Sequence, residues 1–257
     1  MTKKSSPFKT VKIETEKPTS PESLFRDLKK KDIQFLWSHQ ADILRDYQKM
    51  ENVTDVALEL PTGAGKTLIG LLIGEYRRRK YNERVLYLCP TRQLAYQVEN
   101  KATEYGIPAH ALVGPQKEFS QAELADYSFS KAIAVTTYSG LFNVNPRFDD
   151  PHILLLDDAH SAENYISSHW TISIDRQGNF AIYEAVIQML QGSLPEQYLQ
   201  DMLMSGTRPS FVVRRDIDCV PMPLLYERLD ALRDYLDENI DDRNKWSWSM
   251  VRDHLEA

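Results

Sequence analysis

The segment Leu58-Glu-Leu-Pro-Thr-Gly-Ala-Gly-Lys-Thr67 constrains the fold of this chain more than any other feature. Gly63 and Gly65 allow the backbone to turn tightly, so that several N–H groups can point at one anion at the start of a helix. The apolar residues around the segment predict a short buried strand at 56–60 and a helix from residue 68 onward. A strand, a glycine-rich loop and a helix in this order are typical of a phosphate-binding loop.

The residue types that follow the glycines indicate a nucleoside triphosphate. Lys66 can reach the β- and γ-phosphates, and the Thr67 hydroxyl can ligate Mg²⁺. Leu60 stands where the strict loop pattern has a glycine, so the match is to a Pro-Thr-Gly-x-Gly-Lys-Thr variant. The loop residues predicted to bind the nucleotide are Thr62, Gly63, Ala64, Gly65, Lys66 and Thr67.

A second segment of the chain is acidic and is predicted to supply the Mg²⁺ ligand that such a loop requires. The continuous apolar run at 153–156 predicts a parallel strand that is covered on both faces. Asp157 follows at the carboxyl end of that strand, where ligands bind in open α/β sheets, and would hold Mg²⁺ through water. Asp158 and His160 come next. The alternatives are an acidic turn after an ordinary core strand and a purely structural histidine.

With Pro90-Thr-Arg-Gln-Leu94, these segments resemble the first RecA-like domain of a superfamily 2 helicase of the DEAD/DEAH-box kind. Asp157-Asp-Ala-His160 stands where that family has Asp-Glu-Ala-His, and 90–94 resembles its motif Ia. The resemblance extends over roughly residues 33–165. It implies an α/β fold of the RecA-like P-loop NTPase type, in which a parallel sheet is flanked by helices, with ATP and Mg²⁺ as ligands.

The resemblance also implies roles for single residues in catalysis. Lys66 would bind phosphate, and His160 would link the ATP site to nucleic-acid binding. Asp158 corresponds to the family's glutamate, which orients or deprotonates the attacking water. Because an aspartate is one methylene shorter and catalytic groups lose rate steeply when misplaced, hydrolysis is expected to depend on how Asp158 is held. Gln40 resembles the glutamine that reads the adenine edge in many such enzymes.

Four residues are expected to contact nucleic acid by the same resemblance: Thr91, Arg92, Gly114 and Thr137. The chain has a net charge of −6 and a pI near 5.6, which gives no basic surface overall. Lobes of this family hold one strand through threonine hydroxyls, an arginine and main-chain amides, which requires no global charge. The alternative for Arg92 is a helix-start residue paired with an acid. The basic run at 77–80 is predicted to close a helix, where cations complement the helix dipole.

Composition places the chain among ordinary soluble globular proteins, with 42% apolar and 26% charged residues. No apolar run approaches the ~20 residues that span a bilayer, and the N-terminus lacks the apolar region of a secretory signal. A cytoplasmic location is therefore expected. Cys89 and Cys219 provide neither a disulfide framework nor the thiolates of an iron–sulfur cluster.

Three regions are predicted along the chain: a disordered tail at 1–20, a RecA-like ATP-binding domain at 21–161 and a mainly helical region at 162–257. Ser20 and Pro21 predict the first helix start, as N-cap and first helical residue. In the last region, one apolar helix stripe is formed by Leu225, Leu229, Leu232 and Leu236. A stripe buried in the protein's own core is favoured over a partner-binding groove.

A helical region directly after the acidic box resembles the arch of XPD-type DNA helicases, which favours DNA over RNA. Ser205-Gly-Thr207 invites comparison with the family's Ser-Ala-Thr motif, although the residues before it are predicted to be helical. The Gln-x-x-Gly-Arg-x-x-Arg motif of a second RecA-like lobe does not occur in the sequence. The chain is therefore expected to be an incomplete motor that binds ATP–Mg²⁺ but hydrolyses ATP slowly.

Two other functions are compatible with the sequence. One is a non-hydrolysing scaffold that uses ATP to hold nucleic acid or a partner, consistent with the aspartate at 158. The other is a P-loop enzyme unrelated to nucleic acid, such as a small-molecule kinase, against which the segment at 90–94 argues.

Overall fold

The structure is a computed structural model that describes residues 17–30, 33–148, 150–175, 177–193, 195–196 and 225–255. The chain divides into two compact units, the first comprising residues 1–142 and 146–162 and the second residues 143–145 and 163–257. The predicted tail up to residue 16, Cys219 and the Ser205-Gly-Thr207 segment lie outside the described residues.

The first unit alternates helices and strands as predicted. Its elements are α1 (Pro21–Asp27), α2 (Ser38–Lys49), α3 (Lys66–Tyr81), β1 (Val85–Cys89), α4 (Arg92–Tyr105), β2 (Ala109–Ala111), α5 (Gln121–Ser128), β3 (Ile133–Thr137), α6 (Tyr138–Leu141), β4 (Ile153–Leu156) and the start of α7 (Ala159–His169). A short 3₁₀ turn, Gln116–Glu118, precedes α5.

All four strands run parallel, in the order β2-β3-β1-β4. In the register of the central pair, Cys89 of β1 lies opposite Thr137 of β3. On the other side of β1, Leu88 lies opposite Leu156 of β4. The carboxyl ends of β1, β3 and β4 therefore meet at one edge of the sheet, which is where an open α/β sheet binds its ligands.

Capping residues explain where several helices begin and end. Ser20 accepts a hydrogen bond from the Ser23 amide and forms a capping box with it, which confirms the predicted start of α1. Thr91 accepts a hydrogen bond from the Leu94 amide at the start of α4. Gly106 ends α4 with a φ of +65°, a left-handed conformation that glycine adopts without steric cost.

Helix α3 packs closely on one face of the sheet. A Cβ added to Gly74 would lie 3.0–3.2 Å from side-chain atoms of Leu155, Val85 and Ile133. Because successive side chains of a strand point to opposite faces, Leu154 and Leu156 point away from α3. They are 41% and 40% exposed. The prediction of a strand at 153–156 is confirmed, but the prediction that both of its faces are covered is wrong for β4.

The predicted strand at 56–60 is also wrong. These residues form no strand, and half-buried positions alternate with exposed ones along them. Among the described residues, β4 is an edge strand that pairs with β1 alone. An apolar, alternating segment becomes a strand only where another strand supplies ladder hydrogen bonds, and residues 56–60 have no such neighbour within the described part of the chain.

The second unit is helical in its described part, as predicted. It contains the end of α7, α8 (Phe180–Met189), α9 (Leu229–Asn239), α10 (Lys245–Val251) and a 3₁₀ turn, Arg252–His254. Its core joins Ile182 of α8, Leu236 of α9 and Trp248 of α10. Leu229, Leu232 and Leu236 are all buried, so this part of the leucine stripe lies in the protein's own core.

The basic run at the end of α3 is held by ion pairs within the first unit. Arg77 forms two hydrogen bonds with Glu83, and Arg78 forms two with the buried Glu75. Lys80 approaches Glu51 at 3.2 Å. The run lies at the end of α3, which confirms the prediction that it closes the helix. None of the helices in the described part of the chain combines the length and apolar character required to cross a lipid bilayer.

Candidate nucleotide and nucleic-acid site

The glycine-rich loop begins α3 with two left-handed residues. Gly63 and Gly65 both have a φ of +83°, and Gly65 is the N-cap of this 16-residue helix. Nothing lies within 4 Å of a Cβ placed on Gly63, so the space beside that residue is open. Thr62 is exposed at the turn, and the Ala64 amide donates to the Pro61 carbonyl at 3.2 Å. The loop therefore presents a helix N-terminus, with its partial positive charge, toward open space.

Gln40 lies against this loop. It is only 4% exposed, and its Nε2 donates a 2.9 Å hydrogen bond to the carbonyl of Ala64. Its Oε1 accepts a hydrogen bond from the Trp37 amide at 3.1 Å. His39 Nε2 also approaches the Ala64 carbonyl, at 3.3 Å. Gln40 is thus beside the nucleotide loop. One N–H and one oxygen lone pair of its amide are engaged with the protein main chain, which leaves the second N–H and the second lone pair for an adenine edge.

Asp157 is brought to the same place by the sheet. Its amide donates to the Leu88 carbonyl at 2.9 Å, which continues the β1–β4 ladder to the end of β4. Burial, and next the negative charge of Asp158, raise the pKa of the Asp157 carboxyl, while the positive charge of Lys66 opposes the rise. The lysine and the carboxylate are therefore close enough to interact electrostatically, as an ATP–Mg²⁺ site requires.

Asp158 adopts a conformation that the sequence did not predict. Its φ is +56°, in the left-handed region that few residues other than glycine, asparagine and aspartate occupy. Its Oδ2 accepts a 2.6 Å hydrogen bond from the Ser161 hydroxyl. Its carbonyl accepts hydrogen bonds from the amides of Ser161 and Ala162, so Asp158 begins α7. The carboxylate is exposed but is held toward the helix start.

Lys66 and His160 are candidate catalytic side chains that lie on the first turns of two helices. Both are exposed, Lys66 on the first turn of α3 and His160 on the first turn of α7. Within the described part of the chain, neither forms a hydrogen bond or a salt bridge through its side chain. Lys66 is therefore available to a phosphate group, and His160 to a neighbouring element or ligand.

Three of the four candidate nucleic-acid residues lie at the carboxyl ends of strands. Thr91 and Arg92 are exposed at the start of α4, directly after the end of β1, and Arg92 forms no salt bridge among the described residues. Thr137 ends β3, is 9% exposed and shares a 2.9 Å hydrogen bond with the Ser139 hydroxyl. Gly114 follows β2 with a φ of +94°, a turn for which glycine is suited.

Two tyrosines belong to the site, although sequence reasoning assigned neither a role. The Tyr87 hydroxyl shares a hydrogen bond with Thr67, and burial followed by the charge of Asp157 raises the Tyr87 pKa well above its ordinary value. The Tyr138 hydroxyl donates to the carbonyl oxygens of Asp157 and Asp158. The one available signal was position, since Tyr87 lies two residues before the end of β1 and Tyr138 directly follows Thr137.

The donor set suits Mg²⁺ bound together with a nucleotide. Among the described residues, no group of three or more histidine, cysteine or acidic side chains could hold a metal ion by itself. Mg²⁺ does not need such a group, because it is usually bound by one or two carboxylates, water and substrate phosphates. Asp157 and the Thr67 hydroxyl are the protein ligands that fit this arrangement.

Comparison with known proteins decides the family. The family model for the DEAD/DEAH box helicase matches residues 37–213, more than half of the chain. The chain belongs to the DEAD/DEAH box helicase family. The match includes Gln40, the glycine-rich loop, the segment at 90–94 and the acidic box. Searches of curated proteins and of solved structures found no match.

Family and fold together identify an N-terminal RecA-like helicase domain in this chain, with a four-stranded parallel sheet flanked by helices. It is therefore a nucleic-acid helicase-type domain of the ATP-dependent kind.

Proposed function

We propose that this chain binds ATP with Mg²⁺ at the loop formed by 61–67 and couples that binding to a single nucleic-acid strand. The observation that carries the proposal is the meeting of two elements at one edge of the sheet. A left-handed glycine loop begins α3, and Asp157 ends β4 within the electrostatic reach of Lys66. A helix N-terminus, a lysine and a half-buried carboxylate are together the requirements of an ATP–Mg²⁺ site.

In this proposal, each candidate residue has a separate role. Main-chain amides of the loop and Lys66 bind the phosphates, while Thr67 and Asp157 hold Mg²⁺, which neutralises phosphate charge. Asp158 orients or deprotonates the attacking water, and His160 connects the site to bound nucleic acid. Thr91, Arg92, Gly114 and Thr137 bind the strand backbone, with DNA favoured over RNA.

The proposed motor is incomplete in one respect. Transition-state charge in related phosphoryl transfers is stabilised by an arginine that can be worth about 10³–10⁵ in rate. In this family such arginines are supplied by a Gln-x-x-Gly-Arg-x-x-Arg motif, which the sequence does not contain. A second RecA-like lobe, in cis or in trans, would supply them. By itself the chain is expected to bind ATP–Mg²⁺ and to hydrolyse it slowly.

Nucleotide binding and turnover by the purified chain test the proposal. Both are measured with and without single-stranded DNA or RNA, beside Lys66→Ala. Arg79→Ala is a matched control, since it removes one positive charge from the last turn of the same helix. The expected result is ATP binding that requires Lys66 but not Arg79, with slow turnover that rises when a polynucleotide is added. Absence of nucleotide binding in the unaltered chain would overturn the proposal.

A second candidate function has one specific observation in its favour. Asp158 is shorter than the family's glutamate, and its carboxylate is hydrogen-bonded to Ser161 at 2.6 Å. With Oδ2 engaged by Ser161, only the second oxygen of this short side chain is left for an attacking water, which favours a scaffold that binds ATP without hydrolysing it. Tight binding of ATP and a polynucleotide, with no turnover even after a second lobe is supplied, would establish this function instead.

A further inference from the structure

In the part of the chain that the structure describes, the Tyr138 side chain joins the end of β3 to the acidic turn after β4. It is 1% exposed and begins α6 directly after Thr137. Its hydroxyl donates hydrogen bonds to the main-chain carbonyl of Asp157 and, at 3.3 Å, to that of Asp158. A candidate nucleic-acid residue is thus separated by one peptide bond from a residue that contacts the candidate hydrolytic turn.

The strand order makes this contact unusual. Strands β3 and β4 are not neighbours, because β1 lies between them. Adjacent strands are about 4.8 Å apart, so the ends of β3 and β4 are separated by about 10 Å and no main-chain hydrogen bond can join them. The Tyr138 side chain spans this gap across the end of β1, where Cys89 is buried.

The hydroxyl of Tyr138 is fixed as a donor. Its two acceptors are carbonyl oxygens, which cannot donate. The single hydroxyl hydrogen is therefore shared between the two carbonyl oxygens, and this bifurcated hydrogen bond holds the peptide groups that follow Asp157 and Asp158.

Those peptide groups set the position of both carboxylates. Asp158 has a φ of +56°, a conformation that costs free energy unless the surroundings hold it. The Tyr138 hydroxyl binds the main-chain carbonyl of Asp158, and the Ser161 hydroxyl binds its carboxylate, so both parts of the residue are held. Movement of Tyr138 would therefore change where the Mg²⁺ ligand and the water-orienting carboxylate lie.

The main chain of Tyr138 directly follows Thr137 and is tightly packed there. A Cβ added to Gly140 would lie 2.5 Å from the Thr136 Oγ1, so α6 is packed directly against the end of β3. Thr137 and Ser139 also share a hydrogen bond across the start of this helix. With so little free space, a displacement of Thr137 by a bound strand is transmitted to Tyr138 rather than absorbed by the loop.

We propose that Tyr138 is a positioning residue that couples polynucleotide binding at Thr137 to the geometry of the Asp157–Asp158 turn. This inference rests on the proposed function, because it requires both a nucleotide and a nucleic-acid strand to bind the first unit. Tyr138 touches neither ligand in this scheme. It acts through the carbonyl oxygens of the two aspartates, and its hydroxyl is the atom that carries the coupling.

The test measures how strongly each ligand changes the affinity for the other. The affinity for a non-hydrolysable ATP analogue with Mg²⁺ is determined in the presence and absence of a single-stranded oligonucleotide, and the ratio is the coupling. Because the two affinities are linked, the same ratio is obtained when the order of addition is reversed. Turnover is not needed, so the test does not depend on a second lobe.

Tyr138→Phe removes only the hydroxyl and is expected to bring the ratio close to 1, from a coupled value of about 5–150 in the unaltered chain. Tyr76→Phe is the matched control. Tyr76 lies on α3, outside the site, and is also fully buried. Its hydroxyl donates a 2.7 Å hydrogen bond to the carboxylate of Glu51. This control is expected to lose comparable stability while keeping the full ratio. Should Tyr138→Phe not fold, Gly140→Ala displaces α6 with the hydroxyl intact and is expected to lower the ratio.

The possible outcomes separate this inference from the proposed function. A full ratio in Tyr138→Phe, with both ligands bound, would overturn the role of the hydroxyl. A ratio of 1 in the unaltered chain, with both ligands bound, would overturn the coupling and leave the proposed binding functions intact. If the unaltered chain binds no ATP analogue, the proposed function fails and the inference fails with it.

Discussion

At Asp158 the main chain has a φ of +56°, and this conformation bears on the residue type found there. Aspartate and asparagine are several-fold enriched in the left-handed region because their short polar side chains can hydrogen-bond locally. Asp158 does so through the Ser161 hydroxyl. The family's glutamate has a longer side chain and less tolerance for this backbone. The aspartate is therefore explained by the turn that it occupies as well as by the charge that it carries.

Substitutions at Asp158 test this explanation. Asp158→Asn keeps a residue that tolerates a positive φ, whereas Asp158→Glu restores the family's residue and its charge. We expect Asp158→Glu to lower the free energy of unfolding by about 1 kcal/mol relative to Asp158→Asn, since left-handed backbone costs other L-residues about 1–2 kcal/mol. Urea unfolding of both variants measures the difference. Equal stabilities would show that the turn places no constraint on the residue type.

The raised pKa of Asp157 predicts a pH dependence. Mg²⁺ binding requires the ionised carboxylate, so affinity for the Mg²⁺–nucleotide is expected to fall as pH decreases, beginning above the range of an ordinary aspartate, whose value is 3.8. Stability changes in the opposite sense. The folded protein binds this proton more tightly than the unfolded chain, so the contribution of Asp157 is present below 3.8 and lost as pH rises through the folded value.

Nucleotide titration measured from about pH 8 to about pH 5 checks the first part of this prediction. Asp158→Asn removes the second-largest cause of the raised pKa. Its binding curve is therefore expected to fall at a lower pH than that of the unaltered chain. Protonation of the nucleotide itself is common to both proteins and cancels in the comparison. Identical curves would contradict the assigned cause.

Among the elements, the contact between α2 and the glycine-rich loop can be tested most directly. Gly63 and Gly65 share a φ of +83°, but their surroundings differ. A Cβ on Gly65 would lie 2.4 Å from Gln40 Nε2, whereas a Cβ on Gly63 would have nothing within 4 Å. The two positions therefore separate backbone strain from the effect of the Gln40 contact.

Gly63→Ala is expected to destabilise the chain through strain alone, by about 1–2 kcal/mol. Gly65→Ala is expected to cost about 1 kcal/mol more, because the added methyl group displaces Gln40 and breaks its hydrogen bond to Ala64. Denaturant unfolding of the two variants gives the difference. Gln40→Ala should lower the free energy of unfolding less in the Gly65→Ala variant than in the unaltered chain, because the hydrogen bond to Ala64 is already broken in that variant. Equal effects of the two glycine substitutions would contradict a specific role for Gln40.

The elements that the sequence predicts well are those set by local patterns. The loop at 61–67 carries its own glycines, and Ser20 caps the helix that follows it. The strand at 153–156 is a continuous apolar run. In each case the signal lies within a few residues of the structure that it determines, so one sequence is sufficient.

The features that the sequence did not predict depend on distant partners. Whether residues 56–60 form a strand depends on a neighbouring strand, and the exposure of Leu154 depends on what covers that face of the sheet. The hydrogen bond of Gln40 to Ala64 joins residues 24 apart in the chain. The role of Tyr138 depends on a strand order that places β1 between β3 and β4. None of these contacts leaves a periodic signal in the sequence.

For the whole molecule, the division into two units leads to a further prediction. All candidate nucleotide and nucleic-acid residues lie within the first unit, which ends at residue 162 apart from the short 143–145 segment. A chain shortened to residues 1–162 is expected to unfold cooperatively and to bind ATP–Mg²⁺ within about threefold of the full chain, or about 0.7 kcal/mol.

Fluorescence titration with a labelled nucleotide, beside thermal unfolding, measures both properties of the shortened chain. Lys66→Ala in the same shortened chain is the control for specific binding. A shortened chain that folds but binds more than tenfold more weakly would show that residues beyond 162 contribute to the site. A chain with no cooperative unfolding would show that the first unit depends on the second for its stability.

The uncovered side of β4 has a practical consequence for handling this protein. In the described part of the chain, no strand pairs with its outer edge, and two leucines of the same strand are exposed. Open edges of this kind are templates on which another polypeptide can extend a sheet. We therefore expect the chain to form oligomers in concentrated solution. Its net charge of −6 makes the molecules repel one another and would otherwise keep them apart.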